Sequence, residues 1–211
     1  MKNNVVAVIL AGGKSKRMGL PKGLLKYNNT YWLLEQLNRL EKVTSEVYIG
    51  LGFDANLYFE AIPWLKQATN KTTIYKNLKV NVVVNTSPEK GSFSTLKTVL
   101  QQISATNDIL INPIDVPFPK LKSLEKIIAQ KNTVVIPSFI DYNGHPIKIS
   151  HKFCNTLLEI NENSSEARLD FQIKKLSETK ITYVPVKDNS VVKNLNTPLQ
   201  WKYFLKENLI E

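Results

Sequence analysis

"VILAGGKSKRMGLPKG", residues 8–23, joins a run of aliphatic residues to a loop of small and basic ones. The tripeptide GKS at residues 13–15 matches the end of a Walker A phosphate loop, G-x-x-x-x-G-K-[ST]. That motif would need its first glycine at position 8, where the chain has Val8. The stretch is therefore not a P-loop, and its function must come from another feature.

The same stretch does not fit the dinucleotide fingerprint G-x-G-x-x-G, because Gly12 and Gly13 are adjacent and the next glycine is Gly19. What remains is a buried strand that runs into small residues, where backbone N–H groups can approach an anion or a base edge closely. Arg17 and Lys22 could then supply positive charge to a polyphosphate. A solvated basic turn would explain the lysines, but not two glycines directly after a buried strand.

The composition is that of an ordinary globular protein. A chain of 211 residues with 43% hydrophobic and 22% charged residues predicts one domain over residues 1–211. No apolar run approaches the roughly 20 residues of a membrane span, so we expect a cytoplasmic protein without membrane contact. The single cysteine, Cys154, excludes an intrachain disulfide and a thiolate cluster, and two histidines are too few for a histidine metal site. Any metal should therefore have oxygen ligands.

The formal net charge of +10 favours polyanionic partners, either nucleic acid or small molecules rich in phosphate. Only three of the 28 basic residues are arginine, the residue that reads guanine and binds phosphate in bidentate fashion. Nucleic acid is therefore an unlikely partner. A basic RNA-binding module, or an NTP binder without activity, remains the non-enzymatic alternative.

Seven short runs are rich in β-branched apolar residues, and several of them are apolar throughout rather than alternating, which is typical of buried strands. They are residues 5–10, 47–51, 80–84, 109–111, 134–136, 147–149 and 181–186. Segments with helical spacing of apolar residues lie between several of them, which predicts an α/β fold with a mostly parallel sheet in a Rossmann-like three-layer arrangement. Residues 53–78 are expected to form one or two helices at the sheet edge, with their aromatic residues in the core.

Ligands of open α/β sheets bind beyond the carboxyl ends of the strands, so the loops there are the candidates for chemistry. After strand 80–84, Gly91 marks a turn and residues 92–94 begin an amphipathic helix with hydroxyl groups near its N-cap. A free helix N-terminus at that edge could bind a phosphate or a base. Ordinary capping would explain the same residues without a ligand.

Asp115 lies between Pro113 and Pro117, directly after strand 109–111, where an uncompensated carboxylate would be destabilising. Mg²⁺ would compensate this charge, because it typically uses one or two protein carboxylates together with phosphates and water. The alternative is that Asp115 caps the helix that starts near Lys120.

A second polar loop follows strand 181–186. Thr197 is the expected N-cap of a final helix that begins at Pro198. Asn196, just before it, offers a neutral oxygen that could be a second metal ligand or could hold the turn.

Five stretches resemble the motifs of one enzyme superfamily. "LAGGKSKRMGLPKGLL" resembles the nucleotidyltransferase signature L-A-G-G-x-S-x-R-M-G-x-P-K-x-L at every fixed position. "NTSPEKGSFSTL" is similar to an Asn-x(5)-Gly loop, "NPIDVPFP" to a metal-binding Asp-x-Pro, "NGHPIKIS" to a G-H-P-[IV] strand and "NLNTPLQW" to a [DN]-x-[DN]-T-P element. The chain therefore resembles the MobA-like NTP transferases, which are cytidylyl- and guanylyltransferases of the molybdenum cofactor. Thr86, where proline is usual, and a longer segment 53–78 are departures from the pattern.

The resemblance implies a fold of the nucleotide-diphospho-sugar transferase type and a role for each motif. Base and ribose would be held by Leu10, Ala11, Gly12 and Gly13, and the nucleotide pocket completed by Asn85 and Gly91. The triphosphate would be bound by Arg17 and Lys22, and Mg²⁺ by Asp115 and Asn196.

The implied substrates are CTP or GTP and a phosphorylated acceptor. The acceptor phosphate would attack the α-phosphorus and release pyrophosphate, without a side-chain base. Molybdopterin is the expected acceptor, with a sugar phosphate as the alternative. We expect a monomer or a small homo-oligomer.

Overall fold

The computed structural model describes residues 5–208, and a nine-stranded sheet runs through this part of the chain. The strands are β1 Val5–Ala11, β2 Lys26–Tyr27, β3 Thr30–Tyr31, β4 Glu46–Leu51, β5 Thr73–Tyr75, β6 Leu78–Val84, β7 Asp108–Pro113, β8 Val134–Phe139, β9 Tyr142–Asn143, β10 Ile147–Ile149 and β11 Ile181–Pro185. The order across the sheet is β11-β8-β10-β7-β1-β4-β6-β5, with β9 paired to β8, whereas β2 and β3 form a separate hairpin. All seven predicted strands are present.

Helices follow most of the long strands. They are α1 Trp32–Leu40, α2 Ala55–Ala61, α3 Trp64–Gln67, α4 Ser92–Leu100, α5 Leu121–Ile128, α6 His151–Leu158, α7 Leu169–Lys174 and α8 Pro198–Asn208. Within residues 5–208 we find no helix with the length and apolar character needed to cross a membrane.

The sheet is mostly parallel, as predicted. Strand β1 is parallel to both β4 and β7, and β4 is parallel to β6. Strand β10 runs antiparallel between β7 and β8, which the sequence pattern did not indicate. The chain builds outward from β1 to β4 and β6 on one side and to β7 on the other. The carboxyl ends of β1 and β7 therefore form the switch point where such sheets bind ligands.

Apolar side chains alternate between the two faces of the sheet and form two cores. On one face Ala7 and Ile9 pack in a cluster with Leu33 and Leu37 of α1. On the other face the cluster contains side chains of β1, α4, α6 and α7. Cys154 belongs to this second cluster, and burial raises the pKa of its thiol to about 12. The predicted three-layer arrangement is confirmed, and the lone cysteine is a core residue.

The segment 53–78 forms α2, α3 and the edge strand β5, which is antiparallel to β6. The predicted helices are confirmed, whereas the short edge strand was not anticipated. Tyr58 belongs to the core and Phe59, Trp64 and Tyr75 pack against it, as expected, whereas Phe53 is exposed. Trp64 stacks on Tyr75 with ring centroids 5.4 Å apart, and Tyr58 is only 2% exposed.

Helix α1 holds the loop that follows β7. The indole Nε1 of Trp32, which is 1% exposed, donates a buried hydrogen bond of 2.8 Å to the carbonyl oxygen of Ile114. Gln36 Oε1 accepts a bond of 3.0 Å from the backbone N–H of Phe118. Because these bonds bracket Asp115, they fix the backbone that carries this carboxylate.

We expect Trp32→Phe to lower the free energy of unfolding by about 1–3 kcal/mol, because it leaves the buried Ile114 carbonyl without its donor. Trp64→Phe is the matched control, since Trp64 is only partly buried and its contact is a ring stack. Urea denaturation of both variants measures the effect. An equal loss of stability in both would contradict a specific role for the indole N–H.

Candidate active site

A cavity of about 990 Å³ lies at the predicted position, beyond the carboxyl ends of β1 and β7. One half is lined by the loops after β1, β4 and β7 and by the first turn of α4. The other half is lined by β8, β10, α7 and the residues just before β10. The cavity therefore extends from the loop after β1 across the sheet edge to α7.

The loop after β1 provides unused hydrogen-bond donors. In the described part of the chain, the backbone N–H groups of residues 13–17 make no hydrogen bond. Gly12 packs so closely on α4 that an added Cβ atom would lie 2.8 Å from Thr95 Oγ1. Glycine is therefore required at position 12, and the loop beyond it has the backbone groups of an anion-binding site.

Three of the predicted site residues meet at one point. Lys22 Nζ lies 2.9 Å from Asp115 Oδ2 and 2.6 Å from Asn196 Oδ1. The side chains of Lys22 and Asp115 are 13% and 21% exposed, so the ion pair is partly shielded from water. The convergence of these residues from three separate loops agrees with the arrangement that the sequence motifs imply.

Neighbouring backbone groups hold the three residues in place. Leu195 N–H donates to the carbonyl oxygen of Asp115 at 2.8 Å, which joins the loop after β7 to the loop before α8. Gly23 N–H donates to the hydroxyl of Tyr58 at 3.1 Å. An added Cβ atom at Gly23 would lie 2.6 Å from that hydroxyl oxygen, so glycine is required next to Lys22.

The alternative role of Asp115 as a helix cap is wrong. The N–H of Lys120, at the start of α5, donates to Asp188 Oδ2 at 2.6 Å instead. Thr197 is confirmed as the cap of α8, because its hydroxyl accepts from Gln200 N–H at 3.2 Å while Gln200 Oε1 accepts from Thr197 N–H at 3.0 Å. Asn196 N–H also donates to Gln200 Oε1, at 2.9 Å, whereas the Asn196 side chain takes no part in the cap and contacts Lys22.

Asn85 shapes the cavity without lining it. It is 5% exposed, and its amide nitrogen donates to Ser94 Oγ at 2.8 Å and to Thr95 Oγ1 at 3.0 Å. Gly91, which does line the cavity, is the N-cap of α4. The Ser94 hydroxyl donates back to the Gly91 carbonyl oxygen, so hydroxyl groups do not cap this helix as expected.

The other predicted residues of the first loop differ in position. Leu10, Gly12 and Gly13 line the cavity, whereas Ala11 is buried at the end of β1 outside its lining. Arg17 is exposed and is not part of the lining either. Its contact with a triphosphate stays a prediction.

Several lining residues were missed at the sequence level. Phe53 follows β4, and its ring lies 4.3 Å from Lys14 Nζ. Because Phe53 follows the carboxyl end of the predicted strand 47–51, where ligands of such sheets bind, the sequence could have indicated it. Arg168 and Lys174 line the far half from α7 and the residue before it, and no sequence signal pointed to them.

Asp115 and Asn196 offer oxygen donors to a metal ion. No group of three His, Cys, Asp or Glu side chains suited to a metal ion occurs between residues 5 and 208. The oxygens of Asp115 and Asn196 nevertheless converge on one cation, the Lys22 ammonium group. Carboxylate and amide oxygens are ligands that Mg²⁺ accepts, so this donor set fits a hard divalent cation that keeps further ligands from phosphate and water.

We expect Tyr58→Phe to lower the free energy of unfolding by about 1–3 kcal/mol, because the buried N–H of Gly23 loses its acceptor. Tyr48→Phe is the matched control, since the Tyr48 hydroxyl bonds to the exposed carbonyl of Gln102. Chemical denaturation compares the two. If Tyr58→Phe proves as stable as the control, the hydroxyl does not support the Lys22 segment.

His145, at the wall of the cavity, should make stability depend on pH. Burial lowers the pKa of this imidazole from 6.5 to about 4, although the charge of Asp115 acts in the opposite direction. The unfolded chain therefore takes up a proton at His145 before the folded chain does as the pH falls. We expect the free energy of unfolding to decrease between pH 6.5 and 4, with a contribution of roughly 3 kcal/mol from His145.

Equilibrium unfolding across this pH range measures the effect. The decrease should be smaller in His145→Asn than in the wild type. His151→Asn, at the exposed start of α6, controls for the loss of a histidine outside the cavity. An unchanged pH dependence in His145→Asn would contradict the assignment.

Comparisons with known proteins identify relatives of this chain. A family model described as the MobA-like NTP transferase domain matches residues 7–178. A probable molybdenum cofactor guanylyltransferase from Geobacillus sp. (strain WCH70) is 25% identical over 130 residues, which are 62% of this chain. The matched region spans 60% of the length of that relative.

Two solved structures share the fold. A homolog of Mycobacterium tuberculosis rv0371c from Mycobacterium sp. strain JC1 aligns with a TM-score of 0.74 and 20% identity, over 100% of this chain and 99% of the other. Molybdopterin-guanine dinucleotide biosynthesis protein A from Archaeoglobus fulgidus aligns with a TM-score of 0.69 and 17% identity, over 98% of this chain and 100% of the other. The likeness confirms the predicted nucleotide-diphospho-sugar transferase type of fold. Since the family model covers most of the chain, the protein belongs to the MobA-like NTP transferases, a family of nucleotidyltransferases.

Proposed function

We propose that the protein transfers a nucleoside monophosphate from CTP or GTP to the phosphate of molybdopterin, with release of pyrophosphate and with Mg²⁺ as cofactor. The observation that carries the proposal is the convergence of Lys22, Asp115 and Asn196 beside a loop with free N–H donors. The names of the curated relative and of the Archaeoglobus neighbour support a molybdenum cofactor acceptor.

In this proposal the half of the cavity next to β1 binds the nucleotide. Base and ribose lie against Leu10, Gly12 and Gly13, and Phe53 offers an apolar ring at the same wall. The free N–H groups of residues 13–17 and the Lys22 ammonium group bind the triphosphate. Asn85 acts indirectly, because it holds the first turn of α4 through Ser94 and Thr95.

The oxygens of Asp115 and Asn196 hold the Mg²⁺. The bound cation supplies charge neutralisation for the phosphates. Asp115 is suited to this because Leu195 N–H and the Trp32 contact at Ile114 fix its backbone. Its orientation therefore needs no rearrangement of the loop when the substrates bind.

The other half of the cavity receives the acceptor. Arg168 and Lys174 place positive charge at its mouth, although Arg168 is paired with Asp170 at 2.9 Å. An acceptor phosphate is already ionised at neutral pH, so its oxygen can form a bond to the α-phosphorus without a side-chain base. The bond from the α-phosphorus to the bridging oxygen breaks, and pyrophosphate leaves with that oxygen. Catalysis consists of positioning and charge stabilisation.

A pyrophosphate-release assay tests the proposal. Each of the four NTPs is combined with Mg²⁺ and with molybdopterin or a small panel of sugar phosphates. We expect release with CTP or GTP in the presence of molybdopterin. Release with a sugar phosphate alone would contradict the acceptor, and no release with any pair would contradict the transferase activity and favour a binding module.

Lys22→Ala and Asp115→Ala should each lower the rate of pyrophosphate release by roughly 10²-fold or more, because each removes charge stabilisation of the reacting phosphates. Lys26→Ala and Asp141→Ala are matched controls, since both residues are exposed and lie outside the cavity lining. Circular dichroism checks that the variants are folded. Near-wild-type turnover in either site variant would contradict the role of that residue.

The cytoplasmic location, the single domain and the oligomeric state remain predictions from the sequence.

A further inference from the structure

Lys22 occupies the position that the proposed function assigns to a metal ion. Its Nζ atom lies between Asp115 Oδ2 and Asn196 Oδ1, at 2.9 and 2.6 Å. These oxygens are the two protein ligands proposed for Mg²⁺. A cation of the protein itself therefore lies within hydrogen-bonding distance of both oxygens.

We propose that the Lys22 ammonium group and the divalent cation compete for the oxygens of Asp115 and Asn196, so that Lys22 keeps the metal affinity of the nucleotide-free site low. The inference rests on the proposed function, because that function assigns these oxygens to the metal. It adds a second role for Lys22 before the nucleotide binds.

Electrostatics makes the two cations mutually exclusive. Asp115 carries one negative charge, which the ion pair with Lys22 already neutralises. A divalent cation that bound the same oxygens would face an ammonium group at close range, and like charges this close repel strongly in a partly shielded site. The side chain of Lys22 must therefore leave the oxygens before the metal can bind.

The fold allows Lys22 to leave while its backbone stays. Gly23 N–H is held by the buried Tyr58 hydroxyl, and Lys22 N–H approaches Ser15 Oγ at 3.3 Å. The side chain has four flexible methylene groups, and the free N–H groups of residues 13–17 lie in the same loop as Ser15. A triphosphate bound by those groups would offer the ammonium group new acceptors. Nucleotide binding thus favours metal binding, since it removes the competing cation.

Mn²⁺ binding to the nucleotide-free protein tests the inference without any catalytic readout. The loss of the free Mn²⁺ signal in electron paramagnetic resonance gives the dissociation constant. We expect Lys22→Met to bind Mn²⁺ about tenfold or more tightly than the wild type, because the variant has no competing cation at these oxygens in a partly shielded site. Lys22→Arg, which keeps the charge, should remain within a few-fold of the wild type.

Two controls separate local competition from a general loss of positive charge. Lys26→Met removes an exposed lysine of the neighbouring hairpin, whose Nζ atom lies over the Tyr31 ring, and should leave the Mn²⁺ affinity unchanged. Adding Asp115→Asn to Lys22→Met should abolish the gain. A Lys22→Met protein that binds Mn²⁺ no more tightly than the wild type overturns the inference. A gain that survives the loss of Asp115 overturns it as well.

A reciprocal measurement on the wild-type protein needs no substitution at Lys22, so it still tests the inference if the Lys22 variants do not fold. Brief acetylation followed by mass spectrometry reports the reactivity of Lys22, whose side chain is 13% exposed. High Mg²⁺ should raise the acetylation rate of Lys22 but not that of Lys26, relative to NaCl at the same ionic strength. Unchanged reactivity of Lys22 overturns the inference.

The pyrophosphate assay remains a separate test. If the wild-type protein is active but Lys22→Met does not change the Mn²⁺ affinity, the competition is refuted and the transferase function is not. If Lys22→Met binds Mn²⁺ more tightly but the wild-type protein releases no pyrophosphate, the transferase function alone is refuted.

Discussion

The contact of the Lys22 ammonium group with Asp115 and Asn196 joins parts of the chain that are 93 and 174 residues apart in sequence. It can form only if the loops after β1 and β7 and the loop before α8 meet at one edge of the sheet. The strand order provides this, because β1 and β7 are parallel neighbours whose carboxyl ends form the switch point. The rest of the structure can be understood as the support of this contact.

Most of that support comes from buried hydrogen bonds outside the cavity. Trp32 holds the carbonyl of Ile114, the hydroxyl of Tyr58 holds the N–H of Gly23, and Leu195 N–H holds the carbonyl of Asp115. Each bond fixes the backbone at or next to a site residue without using the side chain of that residue. The segment 53–78 thereby contributes to the site through Tyr58, although only Phe53 of this segment lines the cavity.

Much of the fold and half of the site followed from local patterns in the sequence. Several buried strands are recognisable as apolar runs in the sequence. Because ligands of such sheets bind beyond the carboxyl ends of the strands, the same runs indicated Gly12 and Asp115 as site residues. Contacts between distant elements left no such pattern. The role of Asn85 depends on Ser94 and Thr95, which only the packing of α4 brings to it. Three other features likewise depend on tertiary structure. They are the antiparallel direction of β10, the hydrogen bond of Asp188 rather than Asp115 at the start of α5, and the position of α7 residues at the far half of the cavity.

A crystal structure with a non-hydrolysable GTP or CTP analogue and Mn²⁺ would show directly which cation the oxygens of Asp115 and Asn196 hold when the nucleotide is bound. Anomalous scattering locates the Mn²⁺, and the density shows the Lys22 side chain. We expect Mn²⁺ bound by the oxygens of Asp115 and Asn196, with Lys22 Nζ moved onto the phosphates. Mn²⁺ at another position, or Lys22 still paired with Asp115 while the nucleotide is bound, would contradict it.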